Sequence, residues 1–428
     1  MTGQLDVRVT TPDKEMAKTI ARDLLQQRLA ASVQIQGPME SSYWWNGRQM
    51  EEEEFMLLIK TREDLWELVV STIRQHHSYQ LPEILGFPIA YSEPAYSDWI
   101  NRSVKGVGVH KELGSSGIKI SPVVMGLWQA GKQYWTGIDD GETIRAIQAA
   151  YDHGVTAFDT AEEYGEGHSE AVLGEALRDI RDDVVIMTKV FSNHLSYDQV
   201  IASCEASLKR LKTDYIDLYQ IHWPSGSWES DHVPVKETLR AMSRLKREGK
   251  IRAIGVSNFS RAQLEEASEF ARIDSVQPPY SLFWRHVEKD IQSWCIENGA
   301  SILAYSPLAQ GILTGKFGPD HHFEEGDHRR ANKLFQPENW EDVQEALRKL
   351  QPIADRNHMS MAQMSLAWLM TRPRTCVIAG ARNVEQAVNN AETMRHKLPE
   401  SDLIEIDAIG RTIANQFIND PVPWTWNP

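Results

Sequence analysis

The sequence predicts two folds in one chain: a small α+β domain over residues 1–104 and an α/β, (β/α)8 barrel over residues 109–428. Three observations predict this. At 428 residues the chain exceeds what one ordinary core holds. Before residue 105 the hydrophobic pattern reads βαββαβ. After it, short apolar runs alternate with amphipathic stretches eight times over, which calls for a parallel sheet.

The first domain follows in order. Residues 5–11 (LDVRVTT) alternate as a strand does, and Asp13 opens a helix whose Met16, Ile20, Leu24 and Leu29 share one face. Strands follow at 31–36 (ASVQIQ) and 55–61 (FMLLIKT), with a turn at Asn46-Gly47. A helix over 62–75, a strand over 84–90 and a tail helix around 96–102 complete a ferredoxin-like arrangement.

A Gly-rich joint (105–117) leads to the candidate barrel strands. These are 123–128, 156–161, 184–190, 216–223, 251–259, 275–280, 301–308 and 376–382. A doubly wound sheet is the competitor, but no strand is followed by GxGxxG; the nearest string, GVG at 106–108, precedes the first barrel strand. The closed TIM barrel fits better.

Composition narrows the function. The chain is 41% hydrophobic and 25% charged, as in a folded globular protein, and its net charge is −15. No Lys/Arg cluster makes a basic face, which argues against nucleic acid and anionic membrane as partners. Cys204, Cys295 and Cys376 are too few and too scattered for a disulfide framework and read as buried thiols. With neither a signal peptide nor an apolar run of about 18 residues, the sequence reads as cytoplasmic.

In such a barrel, chemistry sits where strands end at the C-terminal rim. Strand two ends in Asp159, with Tyr164 just beyond; strand three ends in Lys189 and strand four in His222. An unpaired ionisable group in an apolar strand costs several kcal/mol, so these groups are expected to meet one another. A Lys beside a Tyr favours the phenolate and draws its pKa down from about 10. Asp fixes the Lys, and His orients a carbonyl or shares the phenol's proton. The set amounts to an acid for a carbonyl oxygen, and the two electrons must come from elsewhere.

At this point residues 109–428 are seen to resemble an aldo-keto reductase. The likeness rests on LGSSGIKIS (113–121), FDTAEEYGEG (158–167), TKV (188–190), QIHWP (220–224), GVSNF (255–259), VQPPYSLF (276–283), AYSPLAQGILTGK (304–316) and IAGARNVEQAVNN (378–390). It implies that Tyr164, Lys189, Asp159 and His222 are the catalytic set, acting on a small-molecule aldehyde or ketone. It also implies NADPH/NADP+ lying across the barrel mouth. Tyr305 then stacks on the nicotinamide, with Ser257, Asn258 and Gln277 on its carboxamide and Trp128 in the same cofactor set. Ser306, Leu308 and Gln310 fall at the pyrophosphate, and Gly380, Arg382, Gln386 and Asn390 at the adenine and 2′-phosphate. Arg382, just ahead of a helix start, suits a phosphate physically as well. Trp128, Trp223 and Trp228 lie near rim loops and Trp424 and Trp426 in the tail, so some of them are expected to wall the substrate pocket. Potassium-channel β subunits share the resemblance, which keeps a regulatory-partner reading beside the enzyme.

Residues 4–104 resemble the CutA divalent-cation-tolerance proteins through SSYWWNGRQMEEEEFMLLIKT (41–61), HSYQLPEIL (77–85) and AYSDWI (95–100). That resemblance implies a homotrimer. It also links the domain to copper through a cysteine, but Ser32 stands at that place and is a poor ligand for a soft metal. His76 and His77 point about 100° apart on a helix and do not chelate as an i, i+4 pair does. His321, His322, Glu324, Glu325, Asp327 and His328 mimic a metal cluster but are expected to form a mobile, solvated loop. No metal site is assigned, and a metal-tolerance protein in which the CutA-like domain is the functional part stands as a further alternative to the enzyme.

Overall fold

The structure is a computed structural model that describes residues 3–104, 109–133, 135, 137–323, 325 and 327–425. Residues 106–108, Glu324 and Trp426, discussed above, lie outside them. The chain divides into two units, Met1–Val107 and Gly108–Pro428.

The first unit runs β1 (Gln4–Thr11), α1 (Lys14–Gln26), β2 (Ser32–Trp45), β3 (Arg48–Arg62), α2 (Trp66–His76), β4 (Ile84–Pro88) and α3 (Pro94–Ser103). Its strands form an antiparallel sheet in the order β2-β3-β1-β4. The Asp13 carboxylate caps α1 by accepting the Met16 N–H at 2.8 Å. Ile20 and Leu24 of α1 and Val69 and Ile73 of α2 bury against Val7, Val9, Leu57 and Ile59 of the sheet. β2 extends well past residue 36, where its apolar alternation ends. Its residues 39–42 pair with the Glu51–Glu54 run of β3 and Tyr43, Trp44 and Trp45 with Met50, Gln49 and Arg48, a mixed ribbon without the one-sided apolar face that betrays a strand. Asn46 and Gly47 both take left-handed φ (48° and 75°), as the two-residue turn joining twisted strands requires.

In the second unit a short hairpin, β5 (Lys111–Glu112) and β6 (Lys119–Ile120), comes first. Its Leu113, Ile118 and Ile120 pack with Val124, Ala157 and Val185 at the strand starts and so floor the barrel. The strands are β7 (Val123–Gly126), β8 (Ala157–Asp159), β9 (Val185–Val190), β10 (Ile216–Ile221), β11 (Ile251–Ser257), β12 (Ser275–Gln277), β13 (Ser301–Ala304) and β14 (Thr375–Gly380). They pair in parallel and in sequence, and β14 closes on β7 through Val377 against Val123. Helices such as Tyr197–Leu211 and Val235–Arg247 wrap the outside, burying Val200, Leu208, Leu239 and Met242 in one continuous core. Cys204, Cys295 and Cys376 are free and buried. Among the described residues no helix is long and apolar enough to cross a membrane.

Candidate active site

The rim gathers four side chains from three strands. Asp159 ends β8, Lys189 lies one residue from the end of β9, and His222 directly follows β10. Tyr164 comes from the loop after β8, held by a close backbone approach. A Cβ on Gly131 would lie 2.6 Å from the Tyr164 carbonyl carbon, and Gly165, at φ +63°, faces Gly131 in turn.

The Lys189 ammonium is fully buried and uses three donors: Asp159 Oδ1 at 2.5 Å, the Thr160 carbonyl at 2.8 Å and the Tyr164 hydroxyl at 3.2 Å. The second carboxylate oxygen of Asp159 accepts from Gln220 Nε2 at 3.2 Å and Gln277 Nε2 at 3.0 Å. The Tyr164 ring meets His222 edge-on, centroids 5.5 Å apart. His222 Nδ1 is buried with no hydrogen-bond partner among the described residues.

Electrostatics assign protonation states. Burial works against the Lys189 charge, but Asp159 and then Tyr164 outweigh it and raise the amine's pKa. Burial, reinforced by the Lys189 cation, holds the His222 imidazole well below its ordinary range, hence neutral. The phenol corrects the sequence expectation. Lys189 does pull the Tyr164 pKa down, but burial pushes it up by more, and the net shift is upward. Tyr164 is therefore a protonated acid.

Beside this group lies an aromatic wall. Trp223, Val422 and Trp424 form a buried cluster, with Trp128 and Phe191 packed on it. Phe191 stands 5.5 Å from His222, and Trp228 lies 5.8 Å from Trp223. The Trp128 ring lies 6.5 Å from that of Tyr164.

The cradle residues bond to one another. Ser257 Oγ donates to the Gln277 carbonyl at 2.7 Å, Asn258 Nδ2 to Ser257 Oγ at 3.1 Å and Tyr305 OH to Asn258 Oδ1 at 2.9 Å. The Gln277 side chain, expected on a carboxamide, also donates its Nε2 to Asp159 Oδ2 at 3.0 Å. After β13, Ser306, Leu308 and Gln310 line a turn in which Ser306 and Gln310 take left-handed φ (50° and 56°). At the end of β14, Asn390 Nδ2 donates to the Gly380 carbonyl at 3.1 Å, and the Gln386 side chain accepts the Arg382 N–H at 2.9 Å.

Two further cations had no sequence signal. The Lys316 amine is depressed by burial and then by Arg329 and Arg382, and Arg382 is depressed by burial and then by Arg329. Arg382 and Arg329 share the Trp135 ring, at 4.9 and 5.8 Å. Arg329 is itself paired with Asp327, its Nε 2.9 Å from Oδ1, so Lys316 and Arg382, with Gln310 Nε2 buried and partnerless among the described residues, are the donors left to fit an anion with several oxygens. The loop expected to be mobile and solvated is in part packed. Phe323 meets Phe317 and Phe335 edge-on, and His328 lies 4.7 Å from Trp128 and 4.6 Å from Trp135, while His321 and His322 stay exposed.

Among the described residues no group of three or more His, Cys, Asp or Glu is placed to hold a metal. In the first unit Ser32 begins β2, His76 pairs with Asp23 at 2.6 Å, and His77 bonds the Thr10 carbonyl at 2.7 Å.

A closed parallel barrel with this rim defines a class, the (β/α)8-barrel oxidoreductases. The model of the aldo/keto reductase family matches residues 122–411, and the chain belongs to that family. The model of the CutA1 divalent ion tolerance protein matches residues 6–103. Among curated relatives, an aldo-keto reductase of Bacillus subtilis, YhdN, is 34% identical over 73% of this chain and 96% of its own. An NADH-specific methylglyoxal reductase of Escherichia coli is 33% identical over 68% and 94%. A probable voltage-gated potassium channel subunit beta of Arabidopsis thaliana is 33% identical over 72% and 97%. Among solved structures, the glycerol dehydrogenase of Gluconobacter oxydans aligns with a TM-score of 0.66 at 31% identity, over 74% of this chain and 98% of that one. An aldo-keto reductase of Klebsiella pneumoniae in complex with NADPH aligns at 0.57 and 29% identity, over 72% and 95%.

Proposed function

We propose that the chain is an NADPH-dependent reductase of aldehydes and ketones. The observation that carries this is the Lys189 ammonium, which spends one N–H on Asp159 and another on the Tyr164 oxygen. NADPH, when bound, supplies the hydride to the carbonyl carbon. Tyr164 donates its proton to the carbonyl oxygen, while Lys189 and Asp159 stabilise the phenolate left behind. Neutral His222 orients the carbonyl by donating a hydrogen bond. Ser257, Asn258, Gln277 and Tyr305 would seat the nicotinamide, and Ser306, Leu308 and Gln310 the pyrophosphate. Gly380, Arg382, Gln386 and Asn390, joined by Lys316, would take the adenine end, and their charge favours the 2′-phosphate of NADP(H).

The first unit is the assembly module of a homotrimer. The match of residues 6–103 to the CutA1 family model supports this reading. Three unpaired buried thiols suit the reducing cytoplasm. The potassium-channel relative keeps a second reading alive, a cofactor-binding regulatory subunit.

One experiment separates them: loss of reduced-nicotinamide absorbance with NADPH and a panel of aldehydes. Turnover that falls by about a hundredfold or more in Tyr164→Phe, with NADPH still bound, supports the reductase. NADPH binding without turnover on any aldehyde supports the regulatory subunit.

A further inference from the structure

A buried asparagine joins the two halves of the candidate site. Asn332, 1% exposed, sits between the short helical turns His328–Ala331 and Lys333–Phe335. Its Oδ1 accepts the Leu334 N–H at 2.9 Å, as a cap does. A cap needs nothing more, yet its Nδ2 also donates to Gln310 Oε1 at 3.0 Å. Gln310 belongs to the turn proposed to hold the pyrophosphate, and this bond leaves its Nε2 a buried donor with no partner among the described residues. The amide has one end of each kind. An anionic oxygen on Nε2 therefore fixes Oε1 toward Asn332, whereas a flipped amide would set two donors face to face.

The backbone of Asn332 points the other way, into the C-terminal tail. Asn332 pairs with Trp424 as an isolated β-bridge. The Thr425 N–H donates to the Ala331 carbonyl and the Lys333 N–H to the Pro423 carbonyl, both at 2.8 Å, and the Lys333 ammonium reaches Asp420 at 2.8 Å. Trp424 so held is packed with Trp223, Trp128 and Phe191, beside His222. The adjoining turn also carries Arg329, which pairs with Asp327, and His328, 6.3 Å from Trp424.

We propose that Asn332 is a positioning residue that couples the cofactor's phosphate grip to the substrate wall. An oxygen anion on Gln310 Nε2 holds the 328–335 segment through Asn332, and that segment holds Trp424 in place. The pocket is then completed, with cofactor bound, for carbonyl compounds with a flat apolar body. This rests on the reductase reading above.

The test follows backbone hydrogen exchange of the full chain with and without saturating NADPH, in wild type, Asn332→Ala and Asn332→Asp. The Asp variant keeps the acceptor for the Leu334 N–H and so separates coupling from folding of the turn. In wild type NADPH slows exchange by about tenfold both in 331–335 and in 420–425. In both variants NADPH still binds but the protection of 420–425 is lost. Kinetics give a second readout: KM for benzaldehyde rises about tenfold in Asn332→Asp and Trp424→Ala, more than KM for propanal and with kcat moving less. Wild-type binding of NADPH without protection of 420–425, or variants that keep both protection and selectivity, overturns the coupling. NADPH binding with tail protection but no aldehyde turnover overturns the reductase reading and leaves the coupling standing. Failure to bind NADPH at all overturns both.

Discussion

Lys189 and Asp159 meet at 2.5 Å with essentially no solvent on either side chain. The three N–H donors of the ammonium go to Asp159, to the Thr160 carbonyl and to the Tyr164 oxygen, so none is left to wander. The phenol oxygen faces a fixed cation, while its own proton is free to leave toward a substrate.

Removing one member of this pair strands a buried charge. Lys189→Met is expected to lower the stability of the barrel's unfolding transition by about 3–5 kcal/mol in denaturant titration. Adding Asp159→Asn removes the stranded carboxylate and should restore part of that stability but no turnover. A single variant as stable as wild type would mean that water reaches Asp159.

The pH profile of reduction follows from the directions of the shifts. Reduction needs Tyr164 protonated, and its pKa lies above the ordinary phenol value, so activity persists through neutral pH and falls only as pH rises through that raised value. His222, held well below its ordinary range, stays neutral and adds no loss as pH drops through about 6.5. A loss of kcat centred near that value would show that His222 titrates normally.

Arg382→Ala should weaken NADPH by about tenfold or more, NADH far less, and flatten the salt dependence of NADPH affinity, as measured by equilibrium titration. Equal effects on the two cofactors would place the 2′-phosphate elsewhere.

Gly131→Ala tests the backbone contact that places Tyr164. The added methyl meets Tyr164 backbone at 2.6 Å, so the phenol must shift. We expect kcat to fall by about tenfold or more while thermal unfolding changes little.

Light scattering should return three times the chain mass of 48.7 kDa, and a truncation that removes residues 1–104 should return one barrel mass. A monomeric full-length chain would refute the trimer.

The barrel was legible because strands buried on both faces run as apolar blocks. Asp159 and Lys189 stood out as the charges such blocks do not tolerate. The arms of β2 and β3 were not legible past residue 36, since Met39, Tyr43, Trp44 and Trp45 are mixed with polar residues and face Glu54, Met50, Gln49 and Arg48, which leaves no clean apolar alternation. Lys316, Arg329 and Asn332 were equally silent. Their meaning comes from neighbours distant in the chain, as with Asn332 against Gln310 and Trp424. The phenol shift was misjudged because proximity to Lys189 can be read from a motif, whereas depth of burial cannot.

The seam that closes the barrel pairs Val123 with Val377, near opposite ends of the second unit. Strands of the first unit pair wholly between Gln4 and Pro88. During synthesis, therefore, the first unit has all its pairings available while most of the barrel is still untranslated, and domains fold in that order. The last strand to arrive both seals the cylinder and delivers Arg382 and Asn390. The ribosome thus completes the pairings of the first unit early and those of the barrel rim last.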